Sequence, residues 1–477
     1  MFAIANLIKH HKFFLALLFL SVICYLIFGY DLVRTDTSKL LVVYIALFSS
    51  TFFLIQHCKF YNLPKGLDSF KVLAGVAIGF RLLFLFATPN LSQDFYRFIW
   101  DGRMILEGFN PYLFTPDSFI LKGNFPIAQA QELHKGMGAL SASHYTNYPP
   151  LNQLCFAIAA LFSGKSVLGS VVIMRIIIIA ADIGTLYFGK KLLERLKLPS
   201  NRIFWFILNP FIIIELTGNL HFEGVMIFFL IWSLYVLHSG RWKWAAVLFA
   251  CSISVKLIPL MFLPLFYGWF TSTSFRDHNN TSRQGISVVA GIKRLMQFYG
   301  IVGVITLLLF IPFFSMAFID NYANTVGLWF GNFEFNASIY YLARAIGYAI
   351  TGFNEIAIIT KILPIITVLI ILWFSFFRPH NTMTKFITAL LLVFSFYLFL
   401  STTVHPWYVA TLVILCVFTD YKYPIIWSLA LILSYLAYSN TANAENLLII
   451  GLEYAIVFGV FLWELVFKNR RIKKANT

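Results

Sequence analysis

The feature that most constrains this chain is a series of long apolar runs joined by short polar connections. They lie at about residues 13–30, 40–57, 70–88, 166–189, 203–217, 222–238, 243–270, 295–316, 355–377, 385–402, 406–420, 423–439 and 446–467. Because polar and apolar residues do not alternate within them, the runs favour membrane helices over barrel strands. Only 12% of the residues are charged, against about 25% in a soluble domain. The sequence therefore predicts an all-α, polytopic membrane bundle and excludes a soluble enzyme.

The distribution of basic residues predicts the orientation of this bundle. The net charge of +16 arises from Lys and Arg in the connections near 59–71, 190–202, 241–243, 276–294 and 378–385 and at 468–474. Such residues collect on the cytoplasmic side of a membrane, so they indicate topology rather than a nucleic-acid partner. All of these basic residues are cytoplasmic on two conditions. The segment 150–163 must not cross the membrane, and the run 243–270 must cross it twice, as two short helices separated by a break near Lys256 and Pro259. This arrangement has about 14 spans and both chain ends inside.

The same topology brings the remaining polar segments together on the outer face. They are the loop 89–150, the turn 217–223, the break at Lys256, the loop 317–335 and the turn 403–407. Residues 151–162 read as an amphipathic helix on that surface, which extends the first outer loop to 89–165. We divide the chain into N-terminal spans (1–69), a central module with this outer loop (70–320) and C-terminal helices (321–477). The five cysteines are scattered without a C-x-x-C pair, so they predict neither a zinc nor a redox site.

The first outer loop carries the clearest candidates for chemistry. Asp94 and Asp101 are two helical turns apart and would share one face of a helix. A carboxylate just outside a span can act as a general base, and Arg97 or Arg103 can hold a phosphate with two hydrogen bonds. The competing interpretation is a helix cap beside an interfacial aromatic anchor.

Three further polar groups lie at the outer ends of apolar runs. His221 and Glu223 flank a short turn, together with Glu215, and three such groups are costly in a passive turn. Lys256 interrupts an apolar run. Its ammonium group is either a cation inside a cavity or the end of a side chain that extends to the membrane interface. His405 precedes Pro406 and could donate a hydrogen bond to a phosphate oxygen.

The order of these motifs resembles the GT-C superfamily of integral-membrane glycosyltransferases. The matching residues are the acidic outer loop, Tyr148-Pro-Pro-Leu151, Met174-Arg175 with Ala181-Asp182, Asn209-Pro210, Asn219-Leu-His-Phe-Glu223, Lys256 before Pro259, and His405-Pro-Trp-Tyr408. The resemblance extends over about 70–440 and looks closest to bacterial mannosyltransferases that depend on polyprenyl-phosphate-mannose. It implies that 70–320 form the catalytic module and that the spans in 1–69 are an addition.

This resemblance implies transfer of mannose or a similar hexose from a polyprenyl phosphate to a lipid-linked or cell-envelope glycan acceptor. The reaction would take place on the periplasmic face of a bacterial inner membrane. It implies Asp94 as the base, with Asp101 as second candidate. The matching candidates for binding the donor phosphate are Arg97, Arg103, Lys256 and His405. The residues expected around the substrate are Tyr96, Tyr148, His221, Glu223, Trp407 and Tyr408. Because Asp-x-Asp is absent, a divalent cation stays an open question, and no other cofactor is predicted.

The residues support this chemistry independently. A single inverting displacement needs a base for the acceptor hydroxyl and cations for the departing phosphate. Two alternatives are a transporter or flippase of lipid-linked saccharides and an O-antigen polymerase or ligase. The first predicts inverted repeats, which we do not find in the sequence. The second usually has large outer loops late in the chain, whereas here the largest comes early.

Overall fold

The computed structural model describes residues 11–60, 68–272, 287–331, 333–378, 380–440 and 443–475, and the segments between these ranges lie outside the description. Basic residues at 65, 276 and 283, on which part of the predicted topology rests, belong to those segments. The described chain is helical, with one isolated β-bridge between Phe335 and Thr403. The predicted all-α membrane bundle is confirmed.

The first part of the chain contains three helices followed by the helical outer loop and one long helix. Their bounds are α1 Lys12–Tyr30, α2 Thr37–Phe60, α3 Ser69–Leu83, α4 Asp94–Leu106, α5 Pro116–Ile120, α6 Ala130–Ala142, α7 Pro150–Ser163 and α8 Val167–Arg195. Short turns at Ser200–Ile203, Phe204–Ile207, Pro210–Ile212 and Ile213–Gly218 follow α8.

The second part alternates long helices with short 3₁₀ segments. The helices are α9 Glu223–His238, α10 Trp242–Val255, α11 Phe266–Thr271, α12 Val288–Phe310, α13 Met316–Gly331, α14 Ile339–Thr351, α15 Ile356–Phe377, α16 Met383–Leu400, α17 Val409–Val417, α18 Tyr423–Ala430 and α19 Leu447–Ala475. The 3₁₀ segments are Ile258–Leu265, Ile311–Phe313, Pro406–Tyr408 and Leu431–Ser439.

Among the described residues, seven helices are long and apolar enough to cross a membrane, or up to eight if one bent pair forms a single span. Several runs counted toward the predicted total of about 14 are shorter helices, namely Trp242–Val255, Ile258–Thr271, Pro406–Val417 and Tyr423–Ser439. The larger number therefore stays a prediction. Helix α7 has 14 residues, which extend about 21 Å and fall short of a hydrocarbon core about 30 Å thick.

The run 243–270 is broken at Lys256, as the sequence predicts. Helix α10 ends at Val255, Lys256 has extended backbone angles (φ −147°, ψ 141°), and a 3₁₀ segment begins at Ile258. Pro259 and Pro264 lack the N–H that an α-helical bond would use, so the chain continues as 3₁₀ helix.

A second break precedes α9 and faces the same region. The segment Ile213–Gly218 is a π-helical turn, and the axis bends by 115° between it and α9. Arg175 on α8 donates to the carbonyl oxygens of Thr217 and Gly218 at 2.9 Å each. These bonds satisfy carbonyls that the broken helix leaves free, as buried backbone groups require.

The first outer loop is itself helical and packs on α8. Helices α4 and α7 approach so closely at Gly102 that a Cβ there would lie 2.3 Å from the carbonyl oxygen of Phe156. Glycine is therefore the residue that this crossing accepts. The contact fixes the C-terminal half of α4 against α7, and Asp94 lies at the other end of this short helix.

Candidate active site

A cavity of about 660 Å³ lies where the first outer loop meets the break at Lys256 and the 400–408 connection. Its polar wall contains Asp94, Arg97, Tyr148, Lys256 and His405. Trp407 and Tyr408, which the sequence places in the substrate region, also line it. Most of the predicted polar residues are thus in one cavity, although they come from four separate parts of the chain.

Asp94 is the first residue of α4, where the helix dipole favours a negative charge. Its carboxylate accepts no hydrogen bond from any residue that the structure describes, and its backbone N–H donates to Ser92 Oγ at 3.3 Å. Burial raises the pKa of Asp94 to about 6, while the Lys256 charge acts to lower it and the Glu223 charge to raise it. A carboxyl group with this pKa and a free oxygen is suited to accept a proton near neutral pH.

Lys256 reaches the cavity from the break between α10 and the 3₁₀ segment. Its Nζ atom lies 3.0 Å from Glu223 Oε1 and 5.0 Å from the centre of the Tyr148 ring. Glu223 is fully buried behind it, whereas the lysine side chain keeps 17% of its surface exposed. Lys256 therefore compensates a buried carboxylate and still presents a cation to the cavity.

Three aromatic rings form a continuous stack along one wall. Trp407 lies between His221 and His405, with ring centres 3.7 Å and 4.6 Å away. Burial and the Lys256 charge lower the pKa of His405 to about 3, so its imidazole is neutral and can donate one hydrogen bond. His221 is buried behind Trp407, with Nε2 3.6 Å from Glu215 Oε2, and it supports the stack from outside the cavity.

The connection that carries His405 is held by Phe335 and Asn336, at the end of the outer loop 317–335, and the sequence assigned no role to these two residues. Phe335 donates from its N–H to Thr402 O and accepts at its carbonyl from the Val404 N–H. The next residue, Asn336, donates from Nδ2 to the buried carboxylate of Glu453 at 3.2 Å and from its backbone N–H to Glu445 at 2.7 Å. Glu445 lies beside the last apolar run and Glu453 lies within it. Carboxylates at such positions are the sequence signal that could have predicted this contact.

Arg97, which lines the cavity, forms an ion pair with Asp101 behind the cavity wall. Arg97 Nε donates to Asp101 Oδ1 at 2.8 Å, and Gln153 donates to the other carboxylate oxygen at 3.0 Å. Arg97 also donates to the carbonyls of Ser141 and His144, and so holds the cavity loop that follows α6. Asp101 has both oxygens engaged and does not line the cavity, so its position does not favour it as the base.

Other predicted site residues lie outside the cavity wall. Arg103 donates to the carbonyls of Ala128 and Lys165 and so anchors the outer loop, and its expected phosphate role stays a prediction. Tyr96 packs against Gly136 and Phe95 rather than facing the cavity. Glu223 and His221 contact cavity residues from behind. The reason is side-chain direction, because neighbouring residues on a helix point to different faces.

The other part of the cavity is an apolar groove. It runs between the 3₁₀ segment after Lys256 and helix α15, and its lining residues are Leu257, Ile258, Leu260, Met261, Leu363, Val368 and Ile371. Leu260 and Val368 are 41% and 52% exposed, so the groove is open on its outer side. It begins directly beside Lys256, a geometry suited to a phosphate on a hydrocarbon chain.

No group of three or more His, Cys, Asp or Glu side chains with metal-binding geometry is present in the described ranges. The described residues therefore offer no ligand set for the divalent cation that the sequence leaves open.

The fold and the cavity define an all-α integral membrane protein with a combined polar and lipid-accessible site. A family model described as "Alpha-(1->6)-mannopyranosyltransferase, N-terminal domain" matches residues 29–272, and the chain belongs to this family. The resemblance to GT-C membrane glycosyltransferases is thereby confirmed. The match includes Asp94 and Lys256, and it begins before α2.

Individual relatives show weaker similarity. The chain is 24% identical over 186 residues to alpha-(1->6)-mannopyranosyltransferase A of Corynebacterium glutamicum, covering 38% of this chain and 35% of the relative. It is 22% identical over 239 residues to alpha-(1->6)-mannopyranosyltransferase B of that organism, with shares of 46% and 38%. The A enzyme of Mycobacterium tuberculosis is 22% identical over 256 residues, with shares of 52% and 45%. The chain thus spans less than half the length of these relatives.

Proposed function

We propose that this protein is a mannosyltransferase that takes mannose from a polyprenyl-phosphate donor and transfers it to a glycan acceptor at the outer face of the cytoplasmic membrane. The observation that carries the proposal is the pairing of Asp94 with Lys256 in one cavity. One is a carboxylate without a hydrogen-bond partner among the described residues, and the other is a cation at the mouth of an apolar groove. Family membership supports the sugar class.

In the proposed reaction Asp94 accepts the proton of the acceptor hydroxyl. That oxygen forms a bond to the anomeric carbon of mannose while the bond from this carbon to the phosphate oxygen breaks. The electron pair of the broken bond leaves with the polyprenyl phosphate. Lys256 stabilises the growing phosphate charge, and the neutral His405 ring donates a hydrogen bond to it.

The names of the relatives specify an α-(1→6) linkage, and this linkage predicts the stereochemistry of the proposed reaction. An α-(1→6) product has its new bond on a primary hydroxyl, and a single inversion yields an α product from a β-linked donor. The apolar groove accommodates the first isoprene units of that donor, and the polar part of the cavity holds the sugar.

The test is a transfer assay with the full-length protein in liposomes. A β-mannosyl polyprenyl phosphate with labelled mannose is offered together with a neutral and an anionic α-mannoside acceptor. We expect a labelled α-(1→6) disaccharide and an equal amount of free polyprenyl phosphate, and Asp94→Asn should lower the rate of both by about 10² to 10⁴-fold. GDP-mannose is the control donor. Transfer from GDP-mannose, or no release of polyprenyl phosphate from the lipid donor, would refute the proposal.

A further inference from the structure

Arg34 is a second cation in the wall of the cavity, and neither the motifs nor the proposed reaction uses it. It lies in the short connection between α1 and α2, and its guanidinium carbon is 4.6 Å from the centre of the Tyr438 ring. Within the described part of the chain it has no carboxylate partner. By contrast, Lys39 in the adjacent first turn of α2 forms an ion pair with Asp31. A half-buried guanidinium that faces a cavity without a counter-charge is available to an anionic ligand.

The surroundings of Arg34 differ from those of Lys256. Lys256 adjoins the apolar groove, whereas Arg34 stacks on Tyr438, whose ring centre lies 6.0 Å from that of Tyr435. Asn443 lines the same cavity. Aromatic faces and amide groups bind sugar rings by stacking and hydrogen bonding. This part of the wall is therefore suited to a charged carbohydrate rather than to a hydrocarbon chain.

Asp94 is within reach of both regions. Asp94 lines the same cavity as Lys256 and as Tyr438, the residue on which Arg34 stacks. Rings also connect the two regions, since Tyr438 lies 6.3 Å from Phe335 and Phe335 lies 5.6 Å from His405. If the donor phosphate is at Lys256, an acceptor that delivers its hydroxyl to Asp94 can extend toward Arg34.

We propose that Arg34, with Tyr438 and Asn443, forms an acceptor subsite that binds an anionic group, a phosphate or a carboxylate, on the glycan or glycolipid acceptor. This inference rests on the proposed function for the position of the donor. It assigns the acceptor to a chemical class, an anionic mannoside, and gives a loop before the second membrane helix a role in specificity.

The test compares three α-mannoside acceptors in the liposome assay. One has a neutral alkyl aglycone, one has a phosphodiester in the aglycone, and one carries a glucuronic acid on the sugar. The variants are Arg34→Gln, Arg34→Lys, and Lys39→Gln as the matched loss of one positive charge outside the cavity. We expect wild type and Lys39→Gln to prefer one anionic acceptor about tenfold in kcat/KM, and that acceptor identifies the source of the charge. Arg34→Gln should remove this preference by raising the acceptor KM, and Arg34→Lys should retain part of it.

Two results would overturn the subsite. One is an unchanged preference in Arg34→Gln, and the other is a higher donor KM in that variant with the acceptor KM retained. Calorimetric titration of the three acceptors into the detergent-solubilised protein separates this inference from the proposed reaction. Arg34-dependent binding of an anionic mannoside without transfer would contradict the reaction and support the subsite. Equal binding of all three probes would contradict the subsite.

Discussion

Lys256 Nζ lies 3.0 Å from Glu223 Oε1, so the two broken helices meet in an ion pair at the base of the cavity. Apart from this ion pair, the Glu223 carboxylate has no hydrogen-bond partner among the described residues, so Lys256 supplies its compensating charge. The pair gives Lys256 a structural task in addition to the phosphate contact that we propose. Any test of the second role has to separate it from the first.

Lys256→Ala should destabilise the protein as well as weaken donor binding. Removing one partner of a buried pair leaves an uncompensated charge and costs about 3–5 kcal/mol. The double variant Lys256→Met with Glu223→Gln removes both charges, so its thermal unfolding temperature in detergent should recover much of the loss. Donor affinity should stay low in the double variant. Recovery of donor binding together with stability would show that Lys256 has no phosphate role.

Asp94→Asn should lower turnover by about 10² to 10⁴-fold, because the amide cannot accept the acceptor proton. Donor affinity should be retained, since Lys256 and His405 hold the phosphate in our proposal. Glu107→Gln, at the exposed end of the same helix, is the matched control and should turn over normally. Near-normal turnover of Asp94→Asn would remove this residue from the mechanism.

The acidic limb of the pH–rate profile should have its midpoint near pH 6. Burial raises the pKa of Asp94 to about 6, and only the deprotonated carboxylate accepts a proton, so kcat/KM should fall about tenfold per pH unit below that value. Glu223→Gln removes a negative charge that raises this pKa, and it should move the midpoint to lower pH. If Glu223→Gln leaves the midpoint in place or shifts it to higher pH, the assignment of the acidic limb to Asp94 is contradicted.

Asp101→Asn should affect stability more than chemistry. The substitution weakens the ion pair with Arg97 and the loop that Arg97 holds, at a cost of about 1–3 kcal/mol. We expect a lower unfolding temperature, a modest loss of kcat/KM, and an acidic limb at the same pH as in the wild type. Loss of that limb in Asp101→Asn but not in Asp94→Asn would identify Asp101 as the base.

The predicted topology places the first outer loop and the C-terminus on opposite sides of the membrane. In a variant without the five native cysteines, Asn124→Cys should react with an impermeant thiol reagent in spheroplasts, and Lys474→Cys should react only after permeabilisation. Asn124 is exposed in the structure, so burial does not prevent its labelling. Equal labelling of both positions in intact spheroplasts would refute the topology.

The sequence by itself determined the class of the protein. Long apolar runs, low charge and basic connections require a helical membrane bundle because unpaired backbone groups cannot face lipid. The breaks at Lys256 and near Glu223 could also be predicted, since a buried charge and prolines interrupt helices locally. The motif order was sufficient for the GT-C resemblance, which the family match confirms. These features depend on composition or on a few adjacent residues.

Tertiary structure alone decided which side chain faces the cavity. Asp94 and Asp101 are equivalent in a helical repeat, yet packing against α7 and the loop after α6 encloses Asp101 with Arg97 and Gln153 and leaves Asp94 free. Arg103 is directed to the outer-loop carbonyls, and Arg34, which carries no motif, lines the cavity. These outcomes depend on contacts between residues far apart in the chain, where side-chain direction and close packing determine the partner of each charge.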